Sequence, residues 1–260
     1  MLTERNAVKT RKLGRLLAGS VLTGVALIVL TATPSQAISI DVMISQVYGG
    51  GGNSGATYTN DFIELFNAGS SAVDLSGWSL QYASATGTGN FGANSAQLTP
   101  LSGVINPGQY FLIQEAQGAG GTTPLPTPDI TDSSPIFMSA TGGKVALVNA
   151  AVSLGCNGGS TPCSPGALAM ILDLVGYGSA NFFEGAGAAP AGTNTTSLVR
   201  LTDASGWYID TDNNSADFVS GPPTPHNSAT VITRVPEPSS LLLLGAGLLG
   251  MAALRRRVKT

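Results

Sequence analysis

Asp61-Phe62-Ile63-Glu64-Leu65-Phe66-Asn67 is the stretch that decides the fold. Side chains alternate across an extended strand, so Phe62, Glu64 and Phe66 share one face while Ile63 and Leu65 share the other. Both faces carry bulky apolar groups, as expected for a strand near the centre of a sandwich, covered on each side. Glu64 then lies among aromatics. A buried, unpaired carboxylate would neutralise or destabilise the fold, so Glu64 requires a partner: a backbone donor, Lys144 or Arg200.

Working outward, runs of the same character recur at 42–48, 78–82, 110–114, 144–149, 170–177 and 197–201, separated by Gly, Ser, Asn and Pro. Between them no segment offers a capped helix of twelve residues. Seven short strands with Gly-rich turns predict an all-β protein, an antiparallel β-sandwich. The long connections at 49–60, 83–97 and 117–136 are expected on its rim. Trp78, after Ser76-Gly77, reads as a core anchor. In Asn106-Pro107-Gly108, Pro sets φ at one central turn position and Gly accepts positive φ at the next. The glycines at 49–52 are followed by no Lys and open no helix, so they are read as a mobile or tightly turning loop, not a phosphate cradle.

Both ends of the chain read as addresses. Arg5, Lys9, Arg11, Lys12 and Arg15 precede a moderately apolar run at 16–30. Ser35-Gln36-Ala37 then supplies a small-x-small site, so a signal-peptide helix over 1–37 with cleavage between Ala37 and Ile38 is expected. At the other end, 231–260, stand Val235, Pro236, Glu237 and Pro238, whose prolines hold the backbone extended. A short transmembrane helix follows at about 239–254. Its uncharged part, 241–254, is about 21 Å long as a helix against a hydrocarbon core of about 30 Å. Arg255, Arg256 and Arg257 form a basic stop in the tail 255–260 and fix the cytoplasmic side. The membrane contact is made through this helix, before processing.

Between the two lies one domain, 38–230. From Ile38 to Arg234 only Lys144, Arg200 and Arg234 are basic, against 13 of the 15 acidic residues, a formal charge of −10. So few cations cannot neutralise a phosphate backbone, which excludes nucleic acid as a partner. Cys156 and Cys163, the two cysteines of an exported chain, are read as a local disulfide, with two free buried thiols as the alternative. His226 follows a Pro-rich stretch and is read as a solvent-exposed linker residue, which argues against a Ser/His/Asp triad. No catalytic residue is assigned. The carboxylate pairs Asp210/Asp212 and Asp129/Asp132 support a secreted hydrolase only weakly. No cofactor is required. Calcium is the one candidate, on Asp210, Asp212, Asn214 and Asp217, because hard oxygens at alternate positions suit that ion; the spacing departs from an EF-hand, and an Asx-rich turn is the alternative.

The tail resembles the PEP-CTERM sorting signal, with Val235-Pro236-Glu237-Pro238 as its signature. That resemblance implies recognition and cleavage by an exosortase-type membrane protease in a Gram-negative envelope: a transient stay at the inner membrane, then the cell surface or the medium. The order Ile44-Ser45-Gln46-Val47-Tyr48, Asp61 to Asn67, Val73-Asp74-Leu75-Ser76-Gly77-Trp78, Asn106-Pro107-Gly108-Gln109-Tyr110, Gly143 to Asn149, Asp173 to Gly178 and Asp210 to Phe218 resembles the bacterial lamin tail domain. It implies an immunoglobulin-like sandwich. The expectation is an exported, non-enzymatic protein of the cell surface or extracellular matrix, an adhesion, structural or binding module that contacts exopolysaccharide or other surface proteins. A calcium-dependent binding module and a secreted hydrolase are the alternatives.

Overall fold

The computed structural model describes residues 42–233. The expected signal peptide with its Ala37/Ile38 junction, the motif Val235 to Pro238, the short helix and Arg255 to Arg257 lie outside the described residues. In chain order the strands are β1 (Val42–Tyr48), β2 (Asn60–Asn67), β3 (Val73–Asp74), β4 (Ser79–Ser84), β5 (Leu98–Pro100), β6 (Val104–Ile105), β7 (Tyr110–Gln117), β8 (Ile130–Thr131), β9 (Gly143–Val148), β10 (Ile171–Tyr177), β11 (Ser197–Arg200) and β12 (Phe218–Gly221). One-turn helices α1 (Pro165–Leu168) and α2 (Asn214–Asp217) interrupt the last third. All seven predicted strands are present. The five that the pattern missed have two to four residues each, too few for a period to register.

The strands form a six-stranded sheet in the order β12-β11-β1-β2-β7-β8, a four-stranded sheet β10-β9-β4-β5 and a small pair β3-β6. The pairing is antiparallel except for β7 with β8, which is parallel. The two larger sheets pack face to face. Between them lie Ile44 and Val47 of β1, Ile63 and Leu65 of β2, Phe111 and Ile113 of β7, Leu80 and Tyr82 of β4, Val145 and Leu147 of β9 and Val175 of β10, with Trp78 among them. Each fully buried aliphatic side chain contributes about 1.5–3 kcal/mol.

The outer faces are covered too, which corrects the rim placement of the long loops. Phe62 packs with Tyr48 and Leu112 beneath Tyr58 and Leu125. Phe66 packs with Tyr110 and Trp207. On the other sheet Phe91, Leu154 and Cys156 cover Ala146, Val148 and Leu174. Cys156 and Cys163 form the disulfide there. Closing so short a loop contributes about 2–3 kcal/mol in the chain-entropy picture.

The glycine run turns out to be a crossing point, not a mobile loop. A Cβ on Gly49 would meet the Ser139 carbonyl oxygen at 2.5 Å, on Gly50 that of Thr193 at 2.5 Å, and on Gly51 the Asn60 carbonyl carbon at 1.9 Å. Three other chain segments therefore pass within backbone contact of this one, and no side chain fits. The Pro107-Gly108 turn is as expected, with Gly108 at φ 70° and Gln109 N–H bonded to the Asn106 carbonyl.

Inside the sandwich lies an ion pair. Arg200 of β11 donates from its Nη2 to both Asp173 oxygens of β10, at 2.9 and 2.8 Å, so the pair joins the two sheets. Both side chains are buried. Removing one partner strands a buried charge, so Arg200→Met is expected to lower unfolding stability by about 3–5 kcal/mol, and Arg200→Met with Asp173→Leu to recover most of it. Urea unfolding midpoints of the two variants check this; an Arg200→Met variant within about 1 kcal/mol of the parent would show that the pair does not hold the sheets.

Candidate functional site

Arg200 is the hub of the one acidic cluster that converges among the described residues. Its Nε bonds the Ile44 carbonyl at 2.8 Å, its Nη1 lies 3.0 Å from Asp210 and 3.7 Å from Asp217, and its guanidinium stacks on Phe218 at 4.5 Å. The Asp173 carboxylate also accepts Ile44 N–H at 2.6 Å. Register explains why that amide is free: Ile44 pairs with Leu65 and Gln46 with Glu64, so Ser45 is an extra, bulged residue. In β10 the same thing happens at Leu172, which turns Asp173 inward.

The four residues predicted to hold calcium do not converge on one point. Asp217 is buried and accepts Thr211 N–H, Thr211 Oγ1 and Asn213 N–H. Asn214 turns to β10, where it accepts Gly176 N–H and donates to the Leu174 carbonyl. Asp210 takes Arg200 and Asp212 N–H, and Asp212 has φ 52°. The stretch is the Asx-type turn that was its alternative reading. A different trio, Asp173, Glu184 and Asp210, brings ligand atoms within 4.8 Å of one another and could hold a metal ion. Its oxygens suit a hard cation. Arg200, however, already supplies a positive charge there, and Glu184 is engaged by Leu174 N–H and Asn214 Nδ2.

Burial pushes Glu184 up to about 8, with Asp173 and Asp210 adding to it. For Asp173, burial raises and Arg200 opposes. Burial works against the Arg200 charge, yet Asp173 and Asp210 outweigh it and hold that group up. Asp173 and Glu184 were missed in the sequence. The signal was there: Asp173 is an acid inside the apolar run 170–177, and the described residues offer only two basic side chains to meet it.

The second place where functional side chains meet is the outer face of the six-stranded sheet, crossed by the segment 222–233. Glu64 is fully buried beneath it. Its partners are Ser45 Oγ at 2.6 Å, His226 N–H at 2.6 Å and His226 Nδ1 at 3.1 Å. The backbone donor was expected; Lys144 and Arg200 were not the partners. Lys144 belongs to the other sheet and donates to the Asn157 carbonyl and Asn181 Oδ1. His226 is not a free linker residue either. Its side chain is 37% exposed, and its ring lies 4.6 Å from that of Tyr110. The Glu64 bond raises the imidazole, with burial opposing.

Asp129 and Asp132 serve separate ends. Asp129 accepts Leu112 N–H, Ser228 N–H and Ser228 Oγ, whereas Asp132 accepts Ser134 N–H. Asp61 and Glu115 hold other backbone amides: Gly51 and Met138 for the first, Ile136 for the second. An open groove of about 340 Å³ lies where the crossing segment ends, lined by Ala68, Gly69, Ser70, Pro107, Trp207, Ile232 and Thr233.

Two family models match this chain. The Lamin Tail Domain model matches residues 35–162 and the PEP-CTERM protein-sorting motif model residues 234–257. The chain carries a lamin tail domain. The match is shorter than the run of motifs along 44–227, and β10, β11 and β12, which lie beyond it, belong to the same two sheets. A crystal structure of a DUF4876 family protein from Bacteroides thetaiotaomicron is similar over 75% of this chain and 75% of its own, at TM-score 0.48 and 14% identity. None of the curated proteins matches in sequence. The sorting motif marks the lamin tail domain for export and for processing by an exosortase, a membrane enzyme. Among the described residues no helix is long and apolar enough to cross a membrane.

Two outcomes follow for the lamin tail domain. Burial raises Asp61 to about 7 and Glu115, like Glu184, to about 8. The native state therefore keeps these protons when the unfolded chain, titrating near 4, has lost them, and stability falls as pH rises from about 4 to 8. His226, also raised, has the same sign: its contribution is lost as pH rises through its folded value. Melting temperature is expected to be several degrees higher at pH 5.5 than at pH 8.5, and Asp61→Asn with Glu115→Gln to flatten that slope; a parent curve flat across the range would contradict the assignment. With Arg200 in the acidic cluster, titration of the processed protein with millimolar Ca²⁺ is expected to give no heat. Heat together with a rise in melting temperature would make Asp173, Glu184 and Asp210 a metal site.

Proposed function

We propose that this is a non-enzymatic module of the cell surface or extracellular matrix of a Gram-negative envelope, cut by an exosortase near Val235 to Pro238 and left outside as a structural or binding unit. One observation carries the non-enzymatic reading. The buried carboxylates are structural staples: Asp61, Glu64, Glu115, Asp173 and Asp217 each hold at least one backbone N–H, as does the half-buried Asp129. A general acid or base must instead face a substrate in an open site. The open groove beside Trp207 has no titratable side chain in its lining. Its apolar wall, with the Ser70 and Thr233 hydroxyls, suits a neutral surface such as the sugar rings of exopolysaccharide or a protein segment. The signed charge of the exported region points away from polyphosphates and from strongly acidic polymers.

Mass spectrometry of the mature termini in the native host tests the reading. The parent is expected to end within the 235–238 region and to be recovered outside the cell or on its surface, whereas Pro236→Ala with Pro238→Ala is expected to retain the full C-terminus in the membrane fraction. A parent that keeps its full C-terminus would sink the sorting reading.

A further inference from the structure

The segment 222–233 is built as a strap. Its sequence, Pro222-Pro223-Thr224-Pro225-His226-Asn227-Ser228, places N–H donors at alternate positions and puts proline where no donor is used. Thr224 N–H bonds Gln46 of β1 at 2.9 Å, His226 N–H bonds Glu64 of β2 at 2.6 Å, and Ser228 N–H bonds Asp129, which itself holds Leu112 of β7, at 3.0 Å. Three alternate positions of an extended chain are thus gripped, the first two by side chains of β1 and β2 and the third by Asp129, which is itself bonded to β7. Beyond them Tyr110 N–H bonds the Thr230 carbonyl and Ile232 N–H bonds the Gly108 carbonyl, while Gln109 faces Val231 as an antiparallel pair.

The strap's last described residue, Thr233, adjoins the start of the sorting-motif match at 234. With the strap seated, only Arg234 separates the sandwich from Val235, and 234–240 span at most about 25 Å to the apolar run. Released, the twelve residues 222–233 add about 40 Å of reach. A protease that reads an extended peptide needs that segment clear of a folded domain.

We propose that the strap is a latch: it must leave the outer face of the sheet before the motif can enter the exosortase, and it reseats after the cut to hold the new C-terminus against the domain. This rests on the processing reading above. The chemistry under the strap suits repeated opening. Glu64 lies on the outer face of β2, so lifting 222–233 hydrates it, leaving no charge stranded in the interior between the sheets, and Ser45 Oγ stays with it.

The test uses the full-length chain in its native host. Gln109 and Val231 form a non-hydrogen-bonded antiparallel pair, a spacing of about 4.5–5.5 Å that accepts a disulfide. Gln109→Cys with Val231→Cys locks the strap in the same compartment that oxidises Cys156 and Cys163. Pulse-chase conversion to the mature form is expected to be tenfold or more slower in the locked variant than in either single-cysteine variant, of which Gln109→Cys also removes the Gln109 Nε2 bond to the Ser228 carbonyl of the strap and so converts no more slowly than the parent. Conversion of the oxidised lock at the parent rate overturns the latch while leaving the sorting reading intact. A parent that is never cut overturns both. Hydrogen exchange on the purified full-length parent decides independently of whether the lock folds: the amides of Thr224, His226, Ser228 and Ile232 are expected to exchange at least tenfold faster than those of β1 and β2. Equal protection overturns the latch.

Discussion

The Arg200–Asp173 ion pair is the constraint on which the rest of the structure depends. A guanidinium in the interior of a β-sandwich would be prohibitive unless its donors were met, and here Nε, Nη1 and Nη2 each reach a carbonyl or a carboxylate oxygen. The bulge at Ser45 frees Ile44 N–H for Asp173, and the bulge at Leu172 turns Asp173 toward it. The two irregularities answer each other across the sheets. Replacing the pair with apolar residues would leave both bulges without a reason, so the local backbone and the buried charge specify one register together.

The same device recurs at lower stakes. β7 carries an extra residue where Asn60 pairs with Gln117 and Phe62 with Gln114, and Glu115 in that stretch takes Ile136 N–H. Along the edge strand β10, Glu184 takes Leu174 N–H and Asn214 takes Gly176 N–H, so the free edge is covered by side chains and by the Gly176 to Gly178 bonds with Ala189. At the opposite end of the other sheet β12 runs into Pro222 and Pro223. An edge whose donors are taken up in this way resists pairing with other chains.

Much of this was legible in the residues, and the parts that were not share a cause. The central strands were readable because Ile63, Leu65, Val145 and Leu147 alternate over several residues. β3, β6 and β8 have two residues each and exist only because tertiary neighbours supply the partner. Glu64 could be seen to need a donor, but the donor was 162 residues away in a segment that composition marked as an exit. There the prolines read as the sign of a linker, whereas their spacing is the information: Pro223 and Pro225 alternate with the donors Thr224 and His226. The four residues considered for calcium part company for a related reason. Spacing along Asp210 to Asp217 cannot show that Asn214 turns to β10, and the charge that mattered, Asp173, lies 37 residues earlier than Asp210.

Order along the chain adds one more step. The strap binds residues of β1, β2 and β7, so its contacts are among the longest-range in the domain, with Thr224 and Gln46 separated by 178 positions. Such contacts form late, because loop closure must be met before they contribute. A chain exported with its C-terminal signal attached would therefore complete the two sheets before 222–233 is seated, and in that interval the sorting motif has its full reach. Seating the strap then both finishes the outer face and withdraws the motif toward the domain. If the strap is a latch, folding and sorting draw on the same twelve residues, and how fast the strap seats bears on which event comes first.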